Sequence, residues 1–299
     1  MNILIYGHNG WIGNMIVEKW SKSFPKDIIC KSKTRISAEN MDILENEIKW
    51  AHRVFTSIGR TSGTLKDGTF VPNIDYLESN LYENARDNIF SPILLAQLCK
   101  KHNKHLSYIG TGCIFSRNTR NNDYIYTENN VPDFFGSSYS TIKGFTDSLM
   151  KQFDNVLNIR IRMPITDDWN PKNFIAKIVN FENICSFPNS MSYLPDLIPI
   201  MIKMCRMNYT GTYNFVNGSI SHEEILEMYK EIVDPNHKYK LIEEDELSNL
   251  IVAKRSNNIL NMDKLKLLEM DRFVMEGEKI RDLKECIKEA LINMKALKK

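Results

Sequence analysis

Paired metal ligands are missing from this sequence. None of its six cysteines, Cys30, Cys99, Cys113, Cys185, Cys205 and Cys286, stands in a Cys-x-x-Cys pair, and its six histidines show no His-x-His or His-x-x-x-His spacing. That argues against a zinc site and against a disulfide framework. An excess of charge is missing too. With 39 Lys and Arg against 37 Asp and Glu, the formal net charge is +2, so neither nucleic acid nor an anionic membrane surface is an expected partner. The longest apolar stretch, around Leu197 to Met204, is too short for a bilayer and contains Lys203. There is no internal repeat and no low-complexity tail. Scattered thiols fit a reducing compartment, and a chain that runs straight into a strand is expected to carry no signal peptide, so the expected localisation is cytoplasmic. What is present is an ordinary globular composition over 299 residues, 42% hydrophobic and 25% charged.

The most informative stretch is the first. Asn2 to Tyr6 is a short apolar run suited to a buried parallel strand, and Gly7, Gly10 and Gly13 follow at three-residue spacing. An amphipathic pattern begins at once with Ile12, Met15, Ile16 and Trp20. Strand, glycine turn and helix start is the context that a dinucleotide pyrophosphate needs. Gly7 allows the tight turn, Gly10 lets backbone approach phosphate, and Gly13 lets helix sit close on strand. Helix and strand patterns then alternate. Strands are expected at Asp27–Cys30, Arg53–Ile58 (closed by Gly59), His105–Ile109, Val156–Arg162 and Gly211–Val216. Helices are expected at Asn88–Lys101, with Ile89, Ile93, Ala96 and Leu98 inward, and at Ser138–Phe153, with Ile142, Phe145 and Leu149 inward. Further helices are expected at Asn173–Val179 and Leu194–Met207. Ser221 to Glu224 reads as a capping box opening Ile225–Ile232, and a last helix turns Ile280, Leu283, Ile287 and Leu291 inward. The fold class is therefore α/β, a Rossmann-type doubly wound parallel sheet, whose ligands bind beyond the carboxyl ends of the strands.

Two places carry chemistry. After the second strand, Lys31-Ser32-Lys33-Thr34-Arg35 has no carboxylate before Glu39. Charge complementarity there favours a cofactor 2′-phosphate on Lys33 or Arg35, hence NADP(H), against the plainer reading of solvated surface cations. Beyond the fourth strand lie Thr111 and Cys113, and on a later helix Tyr139 and Lys143 are one turn apart. An ammonium near a phenol favours the phenolate and lowers its pKa, while Thr111 can hold a substrate carbonyl beside the Tyr139 proton. Tyr-x-x-x-Lys alone is a frequent accident. Behind a nucleotide loop and a strand-end threonine it is a coherent set.

Together these residues resemble the extended short-chain dehydrogenase/reductase family. Leu4 to Gly13, Thr111 to Phe115, Arg162 to Ile165, Asn173 to Ile178, Pro188 to Met191, Glu224 to Lys230 and Arg255 to Asn258 are similar to the 3,5-epimerase/4-reductases that make nucleotide-linked L-rhamnose. The resemblance implies a smaller C-terminal substrate-binding lobe. Residues 1–165, with 194–218 returning, would bind NADPH, and 166–193 with 219–299 would bind the nucleotide sugar. It implies UDP-4-keto-6-deoxy-D-glucose as substrate, with dTDP as the other candidate nucleotide, UDP-L-rhamnose as product, and a homodimer as one allowed assembly. It also implies Asn9, Trp11, Ile12, Gly59 and Pro164 beside the glycines at the cofactor, and Thr61, Asn173, Asn189 and Arg255 at the substrate. Arg255 suits a diphosphate through its forked donors.

A 4-ketone acidifies the hydrogens on C3 and C5, so inversion needs a base on one face and an acid on the other. Cys113, two residues beyond Thr111 in an extended chain, is the candidate base, with Lys177 as the nearby cation and partner acid and Lys172 as its rival. The Thr64–Phe70 stretch is longer than the resemblance implies, and Arg60 departs from it. Two other readings stand beside the bifunctional one: a 4-reductase alone, and a non-catalytic NADP(H)-binding subunit.

Overall fold

In a computed structural model, which describes residues 1–117 and 124–298, six strands form one parallel sheet. They are β1 (Asn2–Tyr6), β2 (Ile28–Lys31), β3 (Arg53–Thr56), β4 (His105–Thr111), β5 (Val156–Ile161) and β6 (Gly211–Asn214). Across the sheet they run β6-β5-β4-β3-β1-β2, with Ile3 lying between Ile29 and Arg53. The chain leaves β1 to one side and returns to the other at β3, and the crevice at that reversal is where such sheets bind ligands. Apolar side chains alternate between two cores, as strand period requires. Ile3, Ile5 and Phe55 face one layer, and Leu4, Tyr6 and Val54 the other.

The helices that matter below are α1 (Trp11–Ser23), α2 (Met41–Trp50), α3 (Ser91–Lys101), α4 (Ser138–Met150), α5 (Phe174–Ile178), α6 (Leu194–Arg206), α7 (His222–Ile232) and α8 (Leu283–Leu297). Helices α5, α7 and α8 build a third core around Ile175, Ile225, Leu226, Ile287 and Leu291. The capping box is present: Ser221 Oγ accepts from Glu224 N–H at 3.2 Å, and Glu224 Oε2 accepts from Ser221 N–H at 3.1 Å. Residues 219–299 do not all belong to that third core, because Leu265, Leu268, Val274 and Ile280 pack with Ile3, Phe55 and α6. No helix among the described residues is long and apolar enough to cross a membrane.

Two helix faces differ from expectation. On α4, Phe145 and Leu149 are exposed, while Ser140, Lys143, Gly144, Asp147 and Met150 turn inward. Chemistry overrides apolar periodicity here: Lys143 faces the ligand crevice, and Asp147, one turn on, meets a buried arginine. Before α3, Arg86–Phe90 has π-helical geometry, and the buried residues are Asn88, Ser91, Pro92, Leu95, Ala96, Leu98 and Cys99, with Ile89 and Ile93 only half-buried. Single π turns recur at functional sites, and this one delivers Asn88 to the crevice.

The arginine that Asp147 meets is Arg160 on β5, wholly buried and forked onto the carboxylate at 2.8 Å and 2.7 Å. A buried pair broken on one side leaves an uncompensated charge. Asp147→Ala is therefore expected to cost about 3–5 kcal/mol of folding stability, read from denaturant unfolding. A loss below about 1 kcal/mol would put the pair on a par with a surface ion pair.

Candidate active site

The glycine turn at the end of β1 is sterically fixed. Gly7 has φ +78°, and a Cβ on Gly13 would lie 2.1 Å from the Gly7 carbonyl oxygen. Gly10 caps α1 without a side-chain hydrogen bond, so the first-turn N–H groups remain free for an anion. Gly10, Trp11, Ile12 and Gly13 line a cavity of about 940 Å³, together with Gly59, Thr61 and Pro164. Asn9 is exposed and stands off that wall. The turn therefore fits a dinucleotide pyrophosphate.

The same cavity is lined by Thr111, Cys113, Tyr139, Lys143, Lys172, Lys177 and Arg255. β4 delivers Thr111, whose Oγ1 accepts from the Cys113 N–H at 3.1 Å. Ser137 caps α4 by accepting from Ser140 N–H, which sets the first turn that carries Tyr139. Burial holds the Tyr139 phenol well above its ordinary range, the charge of Cys113 adds to this, and a hydrogen bond with Thr111 opposes it. Tyr139 is thus a protonated phenol at neutral pH, the form that a proton donor needs. The expectation that Lys143 lowers the phenol is corrected. Lys143 donates to the hydroxyl of Tyr108, over whose ring it sits at 4.6 Å. Burial pushes the Lys143 ammonium down to about 8, against the raising influence of Asp147 and Cys113. Lys177 is held below its ordinary range by burial first, then by Lys172 and Arg255.

Other expected residues fall behind the wall or outside it. Asn173 is fully buried as the cap of α5: its amide donates to the carbonyls of Thr166 and Asp168, and its Oδ1 accepts from Ile175 N–H. Each of its polar atoms has a partner within the protein, as a structural cap requires. Asn189 is likewise buried, with Oδ1 taken by Arg162 and Asn258 N–H, and Nδ2 donating to Asn257. Lys33 is exposed and lines neither this cavity nor the recess beside it. Arg35 does line that recess, about 330 Å³ bounded also by Thr34, Ile36, Ile58, Arg86, Asp87 and Ser91. Ile58 belongs to both walls.

The partners of several residues around the site were not legible beforehand. Glu47 of α2 reaches the strand end but is consumed by the hydroxyls of Tyr6, Ser32 and Thr34, so no free carboxylate faces the recess from there. Arg60 reaches Asp87 at 2.5 Å, and its backbone is clamped by Asn88 at 3.0 and 2.9 Å. Residues Gly63–Thr64 and Phe70–Val71 pair as a small antiparallel hairpin. Arg255 donates to Asp75 Oδ1 at 3.0 Å. His222 lies within the capping-box segment, yet it also lines the cavity; its Nε2 has no partner among the described residues, and burial pushes it down to about 4. Arg162 is the largest omission. It directly follows β5, wholly buried, and its Nη1 donates to Cys113 Sγ at 3.3 Å.

A doubly wound parallel sheet, a glycine turn and a strand-end Thr with Tyr-x-x-x-Lys in one crevice define an extended short-chain dehydrogenase/reductase. No protein-family model matches the chain. The chain is 43% identical to the UDP-rhamnose synthase of Acanthamoeba polyphaga mimivirus, whose crystal structure superposes with a TM-score of 0.88 over 98% of this chain and 99% of that one. It is 36% identical to the bifunctional dTDP-4-dehydrorhamnose 3,5-epimerase/dTDP-4-dehydrorhamnose reductase of Arabidopsis thaliana, across 89% of this chain and 86% of that one. A dTDP-4-dehydrorhamnose reductase from Clostridium acetobutylicum shares the fold at 17% identity, with a TM-score of 0.72 over 97% of this chain and 98% of its own. The chain belongs to the family of nucleotide-rhamnose 3,5-epimerase/4-reductases.

Proposed function

We propose that the protein converts UDP-4-keto-6-deoxy-D-glucose to UDP-L-rhamnose, inverting C3 and C5 and then reducing the C4 ketone at the expense of NADPH. The observation that carries this reading is the joint lining of one cavity by two sets of groups. Thr111, Tyr139 and Lys143 serve a ketone, whereas Cys113 and Lys177 have no work in its reduction.

With its pyrophosphate held at the glycine turn, the cofactor would supply a hydride for C4. Thr111 and Tyr139 hold O4, and Tyr139 delivers its proton to that oxygen as the alcohol forms. During inversion the same two donors stabilise the enolate oxygen. Cys113 takes the proton from C3 or C5, the C–H electron pair moves into the enolate, and Lys177 returns a proton from the opposite face. Lys143 would hold the cofactor ribose, and Arg255 would take the substrate diphosphate. Cys113 speaks against a reductase that does no epimerisation.

NADPH oxidation with UDP-4-keto-6-deoxy-D-glucose tests the reading, and no oxidation at substrate saturation would refute it. Run with the dTDP sugar beside the UDP sugar, the same assay is expected to favour UDP. The Lys143 ammonium, already brought down to about 8, acts as a cation, so kcat/KM for reduction is expected to fall as pH rises through about 8. A flat profile to pH 9.5 would remove the cation from the mechanism.

Arg35 and Arg86 at the smaller recess are the groups that would meet a 2′-phosphate. Arg35→Ala is expected to weaken NADPH binding by about 1–3 kcal/mol, as for a lost charge-assisted contact, and to leave NADH binding nearly unchanged. Equal losses for the two cofactors would remove the 2′-phosphate from this recess.

A further inference from the structure

Two wholly buried arginines stand at the end of β5, and they are neutralised differently. Arg160 has the carboxylate of Asp147. Arg162 has no carboxylate within ion-pair distance among the described residues. Its Nη1 donates to Cys113 Sγ and to Ser256 Oγ, both at 3.3 Å. Its Nη2 donates to Asn189 Oδ1 and to the Ser256 carbonyl, and its Nε has no partner.

A guanidinium does not shed its proton in a protein, and a buried one without an anion is strongly disfavoured. The neutral oxygens around it supply hydrogen bonds and no charge. Among the described residues, the sulphur of Cys113 is the one hydrogen-bond partner of Arg162 that can become an anion.

We propose that Arg162 is the counter-cation of Cys113 and keeps that sulphur a thiolate at neutral pH, ready to take the C3 or C5 proton. This rests on the reading of Cys113 as the epimerisation base, and it makes Arg162 a positioning residue that acts through the sulphur. It also replaces Lys177 as the cation expected to charge Cys113.

The surroundings are consistent with this role. From α4, Tyr139 and Lys143 face the sulphur: the phenol is held protonated and the ammonium adds positive charge. From the 253–258 segment come Ser256 and neutral amides, and His222, which feels the Arg162 charge, is held neutral by burial. No carboxylate among the described residues contests Arg162 for the thiolate.

A thiol of ordinary pKa, about 8.5, is only a few per cent ionised at pH 7. Solvent deuterium exchange at C3 and C5 of the keto sugar, without NADPH, is therefore expected to be nearly flat in the wild type from about pH 6 to 8. In Arg162→Met, a swap of similar length that leaves no buried charge, exchange at pH 7 should fall about tenfold or more and recover as pH rises toward about 8.5. Arg162→Lys should restore part of the neutral-pH rate. A uniform loss across pH in Arg162→Met, with no recovery, would overturn the proposal, since a merely structural role gives that result.

A second measurement uses the unmutated protein, so it stands whether or not Arg162→Met folds. Iodoacetamide alkylation of Cys113, followed by peptide mass, should proceed at a pH-independent rate over the same range. A rate climbing about tenfold per pH unit up to the ordinary thiol range would overturn the proposal. Persistence of exchange in Cys113→Ala is a distinct result: it would defeat Cys113 as base, whereas the alkylation profile reports the charge on the sulphur independently of catalysis.

Discussion

Tyr139→Phe is expected to lower NADPH-dependent reduction of an already epimerised 4-keto sugar by about two to four orders of magnitude, the usual contribution of a general acid. The reason lies in the state of the phenol. Burial among Thr111, Cys113 and the α4 turn raises its pKa, so at neutral pH the proton is present and available to O4. Removing one hydroxyl leaves the ring, the helix and the glycine turn intact, so NADPH binding should survive. Single-turnover hydride transfer, with cofactor affinity measured separately, checks both halves. Turnover within tenfold of wild type would place the proton donor elsewhere, and weakened cofactor binding alone would make Tyr139 a binding residue.

The second large effect concerns the epimerisation pair. Cys113→Ala and Lys177→Ala should each abolish deuterium incorporation at C3 or C5 of the keto sugar. An already epimerised 4-keto sugar should still be reduced by both variants, because Thr111, Tyr139 and Lys143 are untouched. Lys177 is suited to the acid role because burial and its neighbours Lys172 and Arg255 lower its pKa, and so ease proton release at neutral pH. Proton NMR of the keto sugar in deuterium oxide, without NADPH, reads the exchange. Undiminished exchange at both carbons in Cys113→Ala would end its role, and retention in Lys177→Ala would move the acid to Lys172.

Much of this arrangement was legible before any coordinates because local geometry forced it. Gly7 and Gly13 tolerate no side chain where the turn folds on itself, and the Thr111, Tyr139 and Lys143 spacing survives as a shared cavity wall. The failures have a common cause. Apolar periodicity placed Phe145 and Leu149 inward on α4, but the buried face of that helix is claimed by Lys143 and Asp147. Asn173 and Asn189 sit in segments similar to the family's, yet all their polar atoms are spent inside the protein. Periodicity and motif describe a residue's neighbours in sequence, and what consumes a side chain is decided by distant ones. Glu47 shows this at the cofactor end, where three hydroxyls from β1 and the segment after β2 occupy it. Arg162 shows it at the substrate end. A strand-end arginine next to Met163 and Pro164 gives no sequence signal that its guanidinium turns back onto Cys113, nearly fifty residues earlier.

The central claim is that one cavity performs both inversion and reduction. Incubating the protein with UDP-4-keto-6-deoxy-D-glucose and NADPH in deuterium oxide, then reading the product by NMR, tests it most directly. The account predicts UDP-L-rhamnose carrying deuterium at both C3 and C5. A reduced product that keeps the starting configuration and hydrogen at those carbons would contradict it.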